Sequence, residues 1–235
     1  MDENEILENK IKKEKRKRII LILIILVAIV IIAVVTYIEE NAYIYNTMTD
    51  LKPIIYIYPK EEIDVSIKVG HPENLTCTYP KYEDGWNVLA KPNGDLTDLK
   101  TGRNLYALYW EGLDRSKGHN YIDGFVVKGD EVATFLEEKL EILGLNEREA
   151  EEFIVYWLPI LEKNEYNYIR FFEKKEINEG MPLEINPEPE TMIRVLMGWK
   201  KLDKKIEVQE QQLERVERKG YTVVEWGGTE FNSFK

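Results

Sequence analysis

The sequence predicts an α+β fold, with an N-terminal transmembrane helix followed by a largely antiparallel β domain that contains one αα-hairpin. Three observations carry this. Residues Ile19 to Tyr37 are apolar or aromatic apart from Thr36, short strand-like runs occupy both flanks of the remaining chain, and two segments between them switch to helical period.

The apolar run, assigned to residues 19–38, is long enough at about 1.5 Å per residue to cover a hydrocarbon layer of roughly 30 Å. A cleaved signal peptide usually has a shorter apolar region and a small-residue cleavage site, which Ala28 and Ala33 do not form. Lys10, Lys12, Lys13, Lys15, Arg16, Lys17 and Arg18 precede the run, whereas Glu39 and Glu40 follow it and the next basic residue is Lys52. The positive-inside bias therefore predicts a cytoplasmic basic tail over 1–18 and an extracytoplasmic C-terminal domain at the cell membrane. Membrane lipids are the expected partner, through the apolar run at 19–38 and the Lys/Arg cluster at 10–18. Residues 39–51 read as a tether, 52–228 as the outer domain and 229–235 as a C-terminal tail.

Within the domain, Pro53 to Pro59 reads as a strand buried on both faces, being β-branched and aromatic between prolines. Ile63, Val65, Ile67 and Val69 alternate with polar residues, the pattern of a half-buried strand. Residues 86–91 and 105–110 add further strands, the first leading into a Pro92-Asn93-Gly94 turn. Val132, Phe135, Leu136, Leu140 and Leu143 then recur at helical spacing until Gly144. Asn146 with Glu149 three residues on forms a capping-box signature, and Phe153, Ile154, Trp157 and Leu158 give a second apolar stripe that Pro159 should kink or end. The short connection predicts an αα-hairpin near 130–143 and 147–160. Strand-like runs resume at 166–172, 191–199, 205–209 and 221–226.

The 44% hydrophobic and 11% aromatic content excludes a disordered domain. Net charge is −11, and residues 1–18 hold 7 basic and 5 acidic side chains, leaving 25 and 38 in the remainder, a net of −13. Nucleic acid is not an expected partner. Cys77 is the chain's one cysteine, so no internal disulfide forms and the core must hold the domain. Two distant histidines and no aspartate-rich loop give metals no ligand spacing, and neither a phosphate-binding glycine loop nor a Gly-x-Ser-x-Gly elbow is present; no cofactor is expected.

Two stretches place a carboxylate beside a tryptophan at a predicted strand end: Trp110-Glu111-Gly112 and Glu225-Trp226-Gly227-Gly228. Glycosidases use two carboxylates flanking a sugar, so Glu111 and Glu225 are the catalytic candidates and Trp110 and Trp226 the candidate sugar platforms. The structural alternative is a pair of strand-end acids beside core tryptophans. Cys77 with His71, His119 and Arg103 nominally matches a sortase-like Cys-His-Arg set, but His71 precedes Cys77 by only six residues, and a packed, inert thiol is the preferred reading. The aromatic cluster Tyr79, Tyr82, Trp86, Tyr106, Tyr109 and Trp110 suits either a core or a glycan- or protein-binding face. Absent a strong motif, a membrane-anchored surface module that binds or organises envelope components, a glycan or a protein, is preferred to a cell-wall glycan hydrolase.

Lys52-Pro53-Ile54-Ile55-Tyr56-Ile57-Tyr58-Pro59, Leu108-Tyr109-Trp110-Glu111-Gly112, Phe153 to Pro159 and Val224 to Gly228 resemble an uncharacterised family of Clostridium- and Bacillus-type membrane-anchored proteins with a KPxIYxYP motif. The resemblance spans nearly all of 52–228. It implies a bacterial host and one coherent domain, and no catalytic residues carry over.

Overall fold

The computed structural model describes residues 3–45, 48–114 and 123–231. It separates into two compact units, Met1–Asn46 and Thr47–Lys235.

The first unit is one helix, α1 (Glu3–Tyr45). Its stretch Lys15–Tyr37, 23 residues with mean hydropathy 3.7, is long and apolar enough to cross a membrane, a property shared by membrane anchors and signal sequences. The side chains from Ile19 to Tyr37 are exposed all round. Thr36, the one polar residue there, donates its hydroxyl to the Ala33 carbonyl at 3.0 Å. The basic residues at 10–18 belong to the same helix. The tether expected at 39–51 is corrected, since α1 runs on to Tyr45 and the first strand opens at Met48.

The second unit contains, in order, β1 (Met48–Tyr58), β2 (Ile63–Val69), β3 (Leu75–Tyr79), β4 (Trp86–Ala90), β5 (Leu96–Asp98), β6 (Asn104–Leu105), β7 (Leu108–Asp114) and β8 (Asp123–Lys128). The hairpin α2 (Val132–Ile142) and α3 (Glu147–Leu161) follows, then β9 (Tyr166–Phe171), α4 (Lys174–Gly180), β10 (Leu183–Asn186), β11 (Thr191–Leu202), β12 (Gln209–Glu210) and β13 (Thr222–Glu230). An eight-stranded sheet has the order β12-β8-β9-β11-β13-β1-β7-β3, and a five-stranded sheet the order β10-β2-β4-β5-β6. Most pairings are antiparallel, but β11 with β13 and β12 with β8 run parallel. Of the strand expected at 205–209, the structure keeps only Gln209, the first residue of the two-residue β12.

Period-2 alternation sorts β1 between two cores. Ile54 and Tyr56 pack with the helical hairpin, together with Leu136, Leu140, Phe153, Trp157 and Trp226. Ile55 and Ile57 pack on the other side with Val65, Ile67, Trp86, Val88 and Trp110, between the two sheets. The unit is thus layered as helices, large sheet and small sheet. The helical stripes expected from Leu136, Leu140, Phe153 and Trp157 are fully buried, with Phe135 partly buried against them. Asn146 caps α3 as its sequence predicts: its side chain accepts from the Glu149 amide while Glu149 accepts from the Asn146 amide, both at 2.9 Å. Pro159 lies in the last turn, and α3 ends at Leu161. Gly228 lets the hairpin seat on the sheet, because a Cβ there would lie 2.5 Å from the Trp157 ring. β13 continues to Glu230 and Phe231 is buried, so the tail expected from 229 starts inside the fold.

Candidate functional site

The four residues singled out from sequence divide between the two faces of the large sheet. Trp110 and Glu225 lie on the face that meets the small sheet, where Trp110 donates its indole N–H to Glu225 Oε1 at 2.9 Å. Arg194, from the neighbouring strand β11, donates its Nε to Glu225 Oε2 at 2.6 Å, and its Nη1 reaches Asn178 of α4 at 2.7 Å. Both members of this ion pair are buried, with side chains only 1% and 5% exposed. A carboxylate so enclosed, with its oxygens already held by an indole and a guanidinium, is a structural counter-ion and has no path to a substrate.

Trp226 and Glu111 lie on the opposite face. Trp226 is fully buried under the hairpin, meeting Phe153 edge to face at 5.3 Å and Tyr56 at 6.4 Å. Glu111 is half-buried beside Tyr109, two residues earlier on the same face of β7, and near Tyr156 of α3. The structure therefore sets Glu111 and Glu225 on opposite sides of one sheet and gives neither tryptophan an exposed ring. The paired-carboxylate arrangement expected for glycoside hydrolysis needs both groups about 5–10 Å apart in one cleft, and these strands do not make it.

What the strands do assemble is a tyrosine face. The hairpin covers the middle of the large sheet, and α3 borders its β7 and β3 end. Tyr79 of β3 lies directly opposite Tyr109 of β7, and Cys77 opposite Glu111, which puts all four on the side where α3 packs. Tyr79 is 48% and Tyr106 51% exposed, whereas Tyr109 and Tyr156 are half-buried at the α3 border. Tyr106 meets Tyr56 at 6.4 Å, and Tyr56 stacks on Tyr58 at 6.5 Å, extending the aromatic run inward beneath α3.

Charged side chains punctuate this face. The guanidiniums of Arg103 and Arg148 sit 5.9 and 5.7 Å from the Tyr79 and Tyr106 ring centres. Arg148 also pairs with Glu152 at 3.0 Å, which accepts the Tyr56 hydroxyl at 2.6 Å. Lys52 holds φ 55°, a left-handed conformation that favours glycine, at the bulge where β1 shifts register between Leu51 and Ile54. Its ammonium lies 4.4 Å from the Tyr156 ring centre and 5.8 Å from Trp226. That strained backbone aims a cation at the aromatic face. Burial, then the neighbouring Glu111 carboxylate, pushes the Tyr109 hydroxyl well above its ordinary range, and the same two causes raise Tyr156. Tyr56 is raised by burial first and by Glu152 second. These phenols thus stay neutral donors at any physiological pH.

Cys77 is free and exposed, not the packed thiol expected from sequence. His71 lies 3.4 Å from Glu73, Arg103 lies over Tyr79, and His119 lies outside the described residues. Among the described residues no group of three or more His, Cys, Asp or Glu side chains is arranged to hold a metal ion. Arg194 and Arg148 were not marked by any motif, and Lys52 was marked only as the first residue of the KPxIYxYP run, with no role. Arg194 carries the one usable signal, a lone arginine inside the apolar strand run Met192 to Trp199, which demands a buried partner.

Over 66 residues the chain is 36% identical to a protein of Butyrivibrio fibrisolvens described as an uncharacterized protein in the bglA 3′ region, a match covering 27% of this chain and 67% of that one. The two chains belong to one family. That relative's description assigns it no activity. No family model and no solved structure matches the chain.

Proposed function

We propose that this protein is a single-pass, membrane-anchored surface module whose tyrosine face binds an envelope glycan. The observation that carries the reading is the grouping of Tyr79 of β3 and Tyr109 of β7 with Tyr106, just before β7, and Tyr156 of α3, exposed or half-buried among the described residues, with Arg103, Arg148, Glu111 and Glu152 beside them. Phenol rings offer a flat apolar surface to the C–H face of a sugar, and their hydroxyls and the flanking charges offer hydrogen bonds to its rim. Holding Tyr79, Tyr109 and Glu111 on strands and Tyr156, Arg148 and Glu152 on α3 keeps the ordering cost of binding low. The basic cluster before the apolar helix and the acidic balance after it support an orientation with the domain outside the cytoplasm.

A hydrolase reading is disfavoured, because Glu225 is sealed on the opposite side of the sheet in an ion pair and Glu152, the other carboxylate beside Glu111's tyrosines, is already engaged by Arg148 and the Tyr56 hydroxyl. Full-length protein in lipid nanodiscs, presented with fractionated cell-wall polysaccharides, separates the two. Binding without release of reducing ends is expected, weakened about tenfold, or 1.4 kcal/mol, by Tyr79→Ala combined with Tyr106→Ala. Reducing-end release, or unaltered binding by that variant, would contradict the proposal.

A further inference from the structure

At the opposite end of the large sheet, β8 presents an edge that is only partly covered. Gln209–Glu210 pair in parallel with Asp123–Gly124, and the Gln211 amide donates to the Gly124 carbonyl at 3.2 Å. Alternation along β8 then points the main-chain N–H and C=O of Val126 outward, because Phe125 and Val127 turn theirs toward Ile169 and Asn167 of β9. Among the described residues nothing pairs with Val126 on that side. The edge forms the floor of a trough of about 940 Å³, walled by α2 on one side and by residues 205–210 on the other.

The walls are apolar near the floor and acidic at the rim. Phe125, Phe135, Ile206 and Val208 supply the apolar lining. Lys139 lies 5.3 and 5.8 Å from the Phe125 and Phe135 ring centres and pairs with Glu138 at 2.8 Å, so its charge is matched within the wall. Four further carboxylates, Asp130, Glu131, Glu207 and Glu210, are exposed on the rim against one lysine, Lys205.

We infer that this trough docks an extended polypeptide of alternating basic and apolar residues from a partner protein, added as a strand to the β8 edge. An incoming strand would exchange main-chain hydrogen bonds with Val126 and place successive side chains against the α2 wall and the 205–210 wall. Apolar side chains meet the phenylalanine and aliphatic lining, and lysines or arginines meet the rim. A second copy of this domain is a poor occupant, because residues 19–235 carry a net −13 and the rim would face like charge. The trough is separate from the tyrosine face.

The test uses full-length protein in nanodiscs of zwitterionic lipid and a fluorescent alternating Lys-Val decapeptide, compared with its Glu-Val counterpart and with a Lys-Val version N-methylated on alternate amides. The Lys-Val peptide should bind, the Glu-Val peptide should not, and N-methylation should weaken binding by about tenfold or more. Glu131→Lys combined with Glu207→Lys, both exposed, should weaken it by about tenfold as well, while Glu184→Lys on β10 leaves it unchanged. The inference is overturned if the Lys-Val peptide does not bind, if the N-methylated peptide binds as well as the unmodified one, if Glu184→Lys is as damaging as the rim pair, or if the chain self-associates through this trough.

Discussion

The two borders of β1 carry similar residues put to opposite uses. Toward the small sheet, Glu225 is locked between Trp110 and Arg194 with almost no exposure. Toward the hairpin and beyond its edge, Glu111 sits half-exposed among tyrosines whose rings reach solvent. Carboxylate, aromatic ring and cation occur on both sides, so composition does not separate them. What separates them is cover: the small sheet closes over one side, while Tyr79 and Cys77 of β3 stay exposed on the other.

Breaking the covered side should have the largest effect. Arg194→Ala leaves the Glu225 carboxylate buried without its cation, and the expected loss is about 3–5 kcal/mol, read as the shift in urea midpoint. Replacing both, Arg194→Met with Glu225→Leu, should recover most of that loss. If the single variant costs under about 1 kcal/mol, Glu225 is not the enclosed counter-ion described above.

The next effect belongs to the start of α3. Glu149 is fully buried, completes the capping box and accepts two hydrogen bonds from Arg218, at 2.6 and 3.2 Å. Glu149→Ala should cost about 3 kcal/mol, because it removes the cap and strands a guanidinium. Asn146→Ala, which removes only the cap, should cost about 1 kcal/mol. Equal losses from the two would mean that the Arg218 contact contributes nothing.

Alkaline pH bears on the covered tyrosines. Burial pushes Tyr168 and Tyr221 up to about 12 from an ordinary value of 10. The folded state therefore keeps protons that the unfolded chain releases, so their contribution is intact below pH 10 and is lost as pH rises from 10 toward 12. Thermal melts at stepped pH should show this fall. The Tyr221 hydroxyl is buried without a hydrogen-bond partner among the described residues, so Tyr221→Phe should leave stability at pH 7 within about 1 kcal/mol and flatten the alkaline slope. Tyr79→Ala and Tyr106→Ala, on the open side, should each change stability by less than about 1 kcal/mol.

The sequence showed the elements whose periodicity is undiluted. Ile63 to Val69 reads as a strand because one face alone is apolar, and α3 reads as a helix because Asn146 and Glu149 mark its start. β3 is only five residues long on the sheet edge, too short for its alternation of Leu75, Cys77 and Tyr79 with Thr76 and Thr78 to stand out, and none of its residues is fully buried. α4 is seven residues with a Glu173–Glu176 capping box and too little stripe for periodicity to detect. The face each carboxylate adopts was not legible either, because it depends on register across β7, β1 and β13 and on the bulge at Lys52 and Pro53, both set by tertiary packing. Hence the Trp–Glu pairs looked alike in sequence. Only the pairing of strands shows that they face away from each other.

Cys77 offers the most direct test of the central claim, an outward-facing module whose tyrosine face takes a glycan. It is the chain's one cysteine, is exposed, and shares its face with Tyr79, Tyr109 and Glu111. A membrane-impermeant maleimide should label Cys77 in intact cells without permeabilisation, and a polysaccharide fraction that binds the domain should slow that labelling. Labelling that requires permeabilised cells, or that proceeds at the same rate with the bound polysaccharide present, would contradict the account.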